Sequence, residues 1–217
     1  MLKRILCATL ASGALVLSGS AAAQELKIAL IAGKTGPLEA YAKDTEKGFM
    51  LGLEYLTNGT MALNGRKIRV IIKDDQLKPD LGKAMLAEAY ADDKVDIAVG
   101  TTSSGVALAM LPVAEEYKKV LIVEPAVADA ITGDKWNRYI FRTGRNSAQD
   151  GLASAATLKS GGSVAYLAQD YAFGRDGVKA GKEALAAVGS KAKVVHEEYA
   201  PQTTTDFTAG IQRIVDA

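Results

Sequence analysis

Short runs of aliphatic and β-branched residues recur along the chain, at Leu26 to Ala32, Lys67 to Lys73, Val95 to Gly100, Val120 to Val123, Tyr139 to Arg142, Val164 to Ala168 and Lys193 to Glu198. Each reads as a strand. Between them apolar positions return at helical spacing. Phe49, Leu53 and Leu56 share a helix face within Tyr41 to Thr57, and similar patterns cover Asp80 to Ala91, Val106 to Tyr117, Ala148 to Lys159, Arg175 to Val188 and Asp206 to Val215. The order is largely βαβαβα, which calls for an α/β fold with parallel strands and helices on both faces of the sheet.

The ends of these elements are punctuated. Asn58-Gly59 stops the first helix, Pro79 opens the second, Ser103-Ser104 is placed to cap the third, and Asn64-Gly65 makes a tight turn into the second strand. The pattern starts afresh after "FRTGRNSAQDG", residues 141–151, where polar residues lead into a helix and then into "SVAYLAQDYAFG", which places strand and loop as "KIALIAGKTGP" did. This predicts two α/β lobes, residues 24–142 and 143–217, with one crossing between them. Two strands and three helices are too few to close a sheet on both faces, so the second lobe is expected to be incomplete and the chain to be part of a longer protein.

Composition agrees with a packed protein: 48% of the 217 residues are hydrophobic and 24% charged, which argues against disorder. It changes the picture only at the start of the chain. Lys3 and Arg4 precede an apolar run, Ile5 to Leu17, and then the small residues Ser18 to Ala23, the plan of a secretory signal peptide over residues 1–23. The run is short for a bilayer span. The single cysteine, Cys7, falls inside it, so the mature chain has no thiol for a disulfide, a nucleophile or a metal site. The expected home is a bacterial periplasm. Loss of Lys3 and Arg4 lowers the 26 basic residues to 24 against 25 acidic ones, a net charge of about −1 with nothing to attract nucleic acid.

Candidate chemistry gathers at the carboxyl ends of the strands. Gly33-Lys34-Thr35 invites a phosphate-loop reading, but Ile28 stands where the first glycine of that motif belongs, and Gly36-Pro37 disfavours a helix starting at Lys34. Gly33 to Ala40 reads instead as a loop at the sheet edge where ligands dock, with Tyr41 as an aromatic beside it. In "VGTTSSGVALA", residues 99–109, the hydroxyls of Thr102, Ser103 and Ser104 meet the start of a helix, a combination suited to a carboxylate. "EPAVADAIT", 124–132, offers backbone groups at Ala126, Val127 and Ala128, and "QDYAFGRDG", 169–177, offers Tyr171 and Phe173. A serine nucleophile lacks its G-x-S-x-G elbow, and the one histidine, His196, falls in a strand beyond the lobe crossing. Asp74-Asp75 and Asp92-Asp93 lack the spacing of a calcium loop and read as solvated element ends.

Taken together, "LKIALIAGKTGPLEAYAKDTEKG", "NGRKIRVIIKDDQLKPD", "TTSSGVALAMLPVAEEYKKVLIVEPAVADAIT", "YIFRTGRNSAQDG", "YAFGRDG" and "TTDFTAGIQRI" resemble, in order and spacing, the periplasmic solute-binding proteins of ABC importers with the type I fold, the leucine/isoleucine/valine-binding family. The resemblance implies two doubly wound parallel-sheet lobes closing on a small solute, with no catalysis and no cofactor, a monomer serving an inner-membrane permease and its ATPase. It further implies that Tyr41 packs on the ligand, that Ser103 and Ser104 hold its carboxylate, that Val127 and Ala128 supply loop contacts and that Phe173 closes over it. Ala128 and Phe173 lack hydroxyls common at their places, and the second-lobe acid that would hold an ammonium lies beyond Ala217, which leaves amino acids, amides and aromatic acids open as ligands. A sensor on the same fold and a nucleotide-dependent enzyme fragment are the other functions weighed.

Overall fold

The structure, a computed structural model, describes residues 24–217, so the expected signal peptide lies outside the described residues. The elements in order are β1 (Leu26–Ala32), α1 (Glu39–Leu56), β2 (Ala62–Leu63), β3 (Arg66–Asp74), α2 (Pro79–Ala91), β4 (Ile97–Gly100), α3 (Ser104–Tyr117), β5 (Leu121–Val123), a 3-10 turn at Asp129–Ile131, β6 (Ile140–Arg142), α4 (Ser147–Ala156), β7 (Gly162–Gln169), α5 (Ala172–Ala187), β8 (Ala192–Ala200) and α6 (Thr208–Val215).

The first six strands form one sheet in the order β2-β3-β1-β4-β5-β6, parallel throughout except for β2. The two-residue β2 turns back through Asn64 and Gly65, whose φ of +50° and +77° suit a tight hairpin. β1 is apolar along its length because it is central and covered twice. Ala29 and Ile31 point to the side of α2 and α3, where Leu86, Val106 and Met110 pack, and Ile28 and Leu30 point to α1, where Leu53 and Phe49 pack. The order of strands reverses between β1 and β4, the switch point beside which open α/β sheets bind their ligands. The backbone is tight there. A Cβ on Gly100, at φ +147°, would lie 2.0 Å from the Ile31 carbonyl oxygen, so β4 ends in the residue that has none.

β6 ends at Arg142 and α4 begins at Ser147, opened by a capping box in which Asn146 accepts from Gln149 N and Gln149 accepts from Asn146 N, each at 2.9 Å. The second sheet holds β7 and β8 in parallel. α4 and α5 pack through small residues, close enough that a Cβ on Gly151 would stand 2.9 Å from the Ala180 oxygen. α6 is tied to β8 through Arg213, which donates to both carboxylate oxygens of Glu198 at 2.5 and 3.0 Å. Polar contacts also join the two lobes. Asp129 N donates to Asp176 Oδ2 of α5 at 2.8 Å, Ala148 N to Asp129 Oδ1 at 3.0 Å, and Ser147 N to the Val127 oxygen at 2.9 Å.

Candidate functional site

The loop after β1 is extended, since α1 begins only at Glu39. Gly33 N donates to Thr102 Oγ1 at 3.1 Å, Lys34 N to Asp74 Oδ1 at 2.8 Å, and the Thr35 hydroxyl to Asp74 Oδ2. The amides that a phosphate loop would aim at its ligand are therefore engaged, and the Lys34 ammonium pairs with Glu46 at 2.7 Å. Gly33 to Thr35 belong to a braced loop.

The brace is the Asp74-Asp75 pair, engaged with its neighbours where solvated element ends are expected. Asp75 is fully buried and accepts from the Thr101 hydroxyl and from Leu77 N, the latter at 2.8 Å. Burial pushes its carboxyl above the ordinary range, more than these two donors pull it down. Burial also acts on Asp74, but the Thr35 hydroxyl and the Gln76 and Lys34 amides outweigh it and hold Asp74 below that range. One acid thus fixes the loop after β1 and its neighbour the loop after β4. The only hint in the sequence was their place at a strand's carboxyl end, where solvent is the commoner neighbour.

Between the lobes lies a cleft of about 360 Å³. The loop after β1 and the first turn of α1 contribute Pro37, Leu38 and Tyr41; the loop after β4 and the first residue of α3, Thr102 and Ser104; the loop after β5, Pro125 and Val127; the lobe crossing, Arg145; and the end of β7 with the start of α5, Gln169, Tyr171 and Phe173. Of the seven residues expected at the site, Tyr41, Thr102, Ser104, Val127 and Phe173 meet here. Ser103 and Ala128 stand behind the wall, both buried. Ser103 occupies the N-cap of α3 without a side-chain cap bond, and Ala128 N donates to Ser104 Oγ at 3.2 Å. The Val127 oxygen is likewise engaged, by Ser147. Arg145, Gln169 and the two prolines were not anticipated. Arg145 sits in the stretch read only as a crossing, and what it faces follows from how the lobes meet.

The two aliphatic hydroxyls of the cleft share a disposition. Thr102 Oγ1 and Ser104 Oγ each accept a backbone N–H, from Gly33 and Ala128, which leaves each O–H free to donate. Tyr171, its hydroxyl pushed up to about 12 by burial, stays a neutral donor at physiological pH, and its ring stands 5.9 Å from that of Phe173. Neither hydroxyl has a base, because the single histidine lies on β8 beside Glu198. Among the described residues no group of three or more His, Cys, Asp or Glu stands ready for a metal ion, and no helix is long and apolar enough to cross a membrane.

Known proteins are similar to this chain. A family profile described as "Periplasmic binding protein" matches residues 25–217. The Leu/Ile/Val-binding protein BraC3 of Rhizobium johnstonii is 28% identical over 192 residues, 88% of this chain and 51% of that protein. The crystal structure of an ABC-type branched-chain amino acid transporter from Rhodopseudomonas palustris is 70% identical with a TM-score of 0.70, covering 88% of this chain and 52% of that one. A solute-binding protein from Rhodopseudomonas palustris BisB5, solved in complex with 3,4-dihydroxy benzoic acid, is 32% identical with a TM-score of 0.75, covering 89% of this chain and 52% of that one. The chain spans about half the length of each. With its sheet order, its inter-lobe cleft and this match along nearly the whole described chain, it belongs to the periplasmic binding proteins, in the type I fold of ABC-transporter solute-binding proteins.

Proposed function

We propose that this protein is the solute-binding component of an ABC importer, exported to the periplasm, where it captures a small carboxylate-bearing solute (an amino acid, an amide or an aromatic acid) and delivers it to a permease and its ATPase. The observation that carries the reading is the cleft itself: five segments at the carboxyl ends of strands in two sheets converge on one space, with hydroxyls and an aromatic ring on the first-lobe wall and two aromatic rings on the second. Such a space rewards closure on a ligand that touches both walls, and a closed form is what a permease distinguishes from an open one. The names of the relatives support a carboxylate, since Leu/Ile/Val and 3,4-dihydroxy benzoic acid all carry one. The reading asks for binding without catalysis.

A thermal-shift screen of the full-length mature protein against amino acids, amides, aromatic carboxylates and nucleotides tests it. A ligand at a hundredfold excess over its Kd stabilises the folded state by about 2.7 kcal/mol, a shift easily resolved. A response confined to one class of small carboxylates or amides is the expected outcome; a response to nucleotides alone would overturn the reading.

A further inference from the structure

We infer that the Asn64-Gly65 turn is a site of spontaneous backbone modification, at which Asn64 loses ammonia to attack by the Gly65 nitrogen and becomes aspartate or isoaspartate, while the chemically identical Asn58-Gly59 pair is held back by the fold. This modification is independent of what the cleft binds.

The first lobe carries two exposed Asn-Gly pairs, and their backbones match: φ is +48° and +76° at Asn58 and Gly59, +50° and +77° at Asn64 and Gly65. The reaction needs only water and a trace of hydroxide. The glycine nitrogen, once it has given up its proton, attacks Cγ of the preceding asparagine; the Cγ–Nδ2 bond breaks, ammonia leaves with a proton from water, and a cyclic imide forms. Water then opens the imide at either carbonyl. In sum an amide and water become an acid and ammonia, with no electron gained or lost. Glycine in second place favours the step because no Cβ obstructs the approach. Ring closure requires the backbone to turn out of the left-handed conformation that both pairs share, so what separates the two sites is the cost of opening locally.

That cost differs. At Asn58 the reacting nitrogen is engaged, since Gly59 N donates to the Glu54 oxygen at 2.8 Å and closes the end of α1. Around it the bonds are dense. The buried Thr57 hydroxyl donates to the Leu53 oxygen at 2.7 Å and accepts from Met61 N at 3.1 Å, and the Thr60 hydroxyl donates to the Thr57 oxygen at 2.7 Å. Turning Gly59 undoes the last turn of α1 together with these bonds. At Asn64 the Gly65 nitrogen has no hydrogen-bond acceptor among the described residues, and the turn is held by β2, whose two residues pair with β3 at the edge of the sheet. So short an edge ladder opens at little cost. The product then alters the hairpin. Isoaspartate routes the chain through the former side chain and adds a methylene to a turn whose length sets the register of β2 on β3. β2 parts from β3, and the bond from Ile68 N to the Met61 oxygen, 2.7 Å in the intact turn, goes with it.

Peptide mapping by mass spectrometry, with isoaspartate resolved from aspartate, tests this on the full-length mature protein kept in warm, mildly alkaline buffer, folded in one arm and in concentrated urea in the other. In urea the two sites are expected to react at similar rates. Folded, Asn64 is expected to react about tenfold or more faster than Asn58. Equal rates in the folded protein, or no reaction at either site while both react in urea, would overturn the inference. Thr57→Ala, with its fold checked by a melting curve, is expected to speed Asn58 and leave Asn64 unchanged, whereas Thr57→Ser keeps the hydroxyl and the wild-type rates. An Asn58 no faster in Thr57→Ala would remove the cause assigned to its protection. Hydrogen exchange on the aged protein is expected to show Ile68 unprotected and β1 still protected. Full protection at Ile68 after Asn64 has become isoaspartate would refute the unpairing of β2.

Discussion

Asp74 and Asp75, neighbours in the chain, titrate in opposite senses because one meets N–H and O–H donors at the edge of a loop and the other is sealed beneath it. The folded-state pKa of Asp74 lies below its usual 3.8, so its contribution is present above that value and is lost as pH falls. That of Asp75 lies above 3.8, so its contribution is complete below that value and disappears as pH rises through the folded pKa. Urea unfolding between about pH 3 and pH 7 separates them: Asp75→Asn gains on the wild type as pH rises, and Asp74→Asn loses on it. A pH-independent offset in both variants would contradict the assignment. Gly100→Ala, which must place its Cβ against the Ile31 carbonyl at a positive φ, is expected to cost about 3 kcal/mol and is checked by the same unfolding curves. At this scale Tyr41, Thr102, Ser104, Val127 and Phe173 were legible from sequence because strand ends mark a sheet edge whatever packs against it. Asp75 and Arg145 were not, because their roles come from partners 26 residues away in one case and from the meeting of two lobes in the other.

The elements themselves follow the sequence closely, and the exceptions have simple causes. β2 escaped notice because two residues carry no period, although the Asn64-Gly65 turn that makes it possible was plain. α3 starts at Ser104 with no side-chain cap from its N-cap Ser103, and the next hydroxyl, Ser104 Oγ, accepts from Ala128 N, a bond that ties the loop after β5 to the helix start. Two elements invite measurement. α4 and α5 approach so closely that Gly151→Leu must push them apart, with an expected loss of about 1 to 3 kcal/mol in thermal unfolding. α6, eight residues long, is anchored by Arg213 to a Glu198 that this bond, helped by His196, holds down at about 2. That anchorage is present above the usual 4.5 and is lost as pH falls toward about 2. In Glu198→Gln the amides of α6 are expected to exchange faster at neutral pH, while those of β1 stay protected.

On the scale of the molecule, two sheets share one cleft, and the wall each contributes is fixed in its own lobe. The first-lobe wall is braced by Asp74, Asp75 and the Thr102 hydroxyl; the second-lobe wall rides on β7 and α5. The two walls are joined by the contacts at the crossing, among them the bond from Asp129 N to Asp176. Two sheets were readable from the restart of the strand pattern, but this bond was not, since Asp129 and Asp176 are 47 residues apart and belong to different lobes.

That bond touches neither wall of the cleft, and from this follows a division of labour between affinity and discrimination. On the proposed closure around a solute, Asp176→Ala is expected to shift the balance between open and closed forms before any solute is chosen, and so to multiply every Kd by one common factor, about tenfold for a bond worth about 1.4 kcal/mol. A change at Arg145, which lines the cleft, is expected to alter the ratio between solutes instead. Titrating two unlike ligands against both variants would show one mutation acting as a volume control and the other as a tuner.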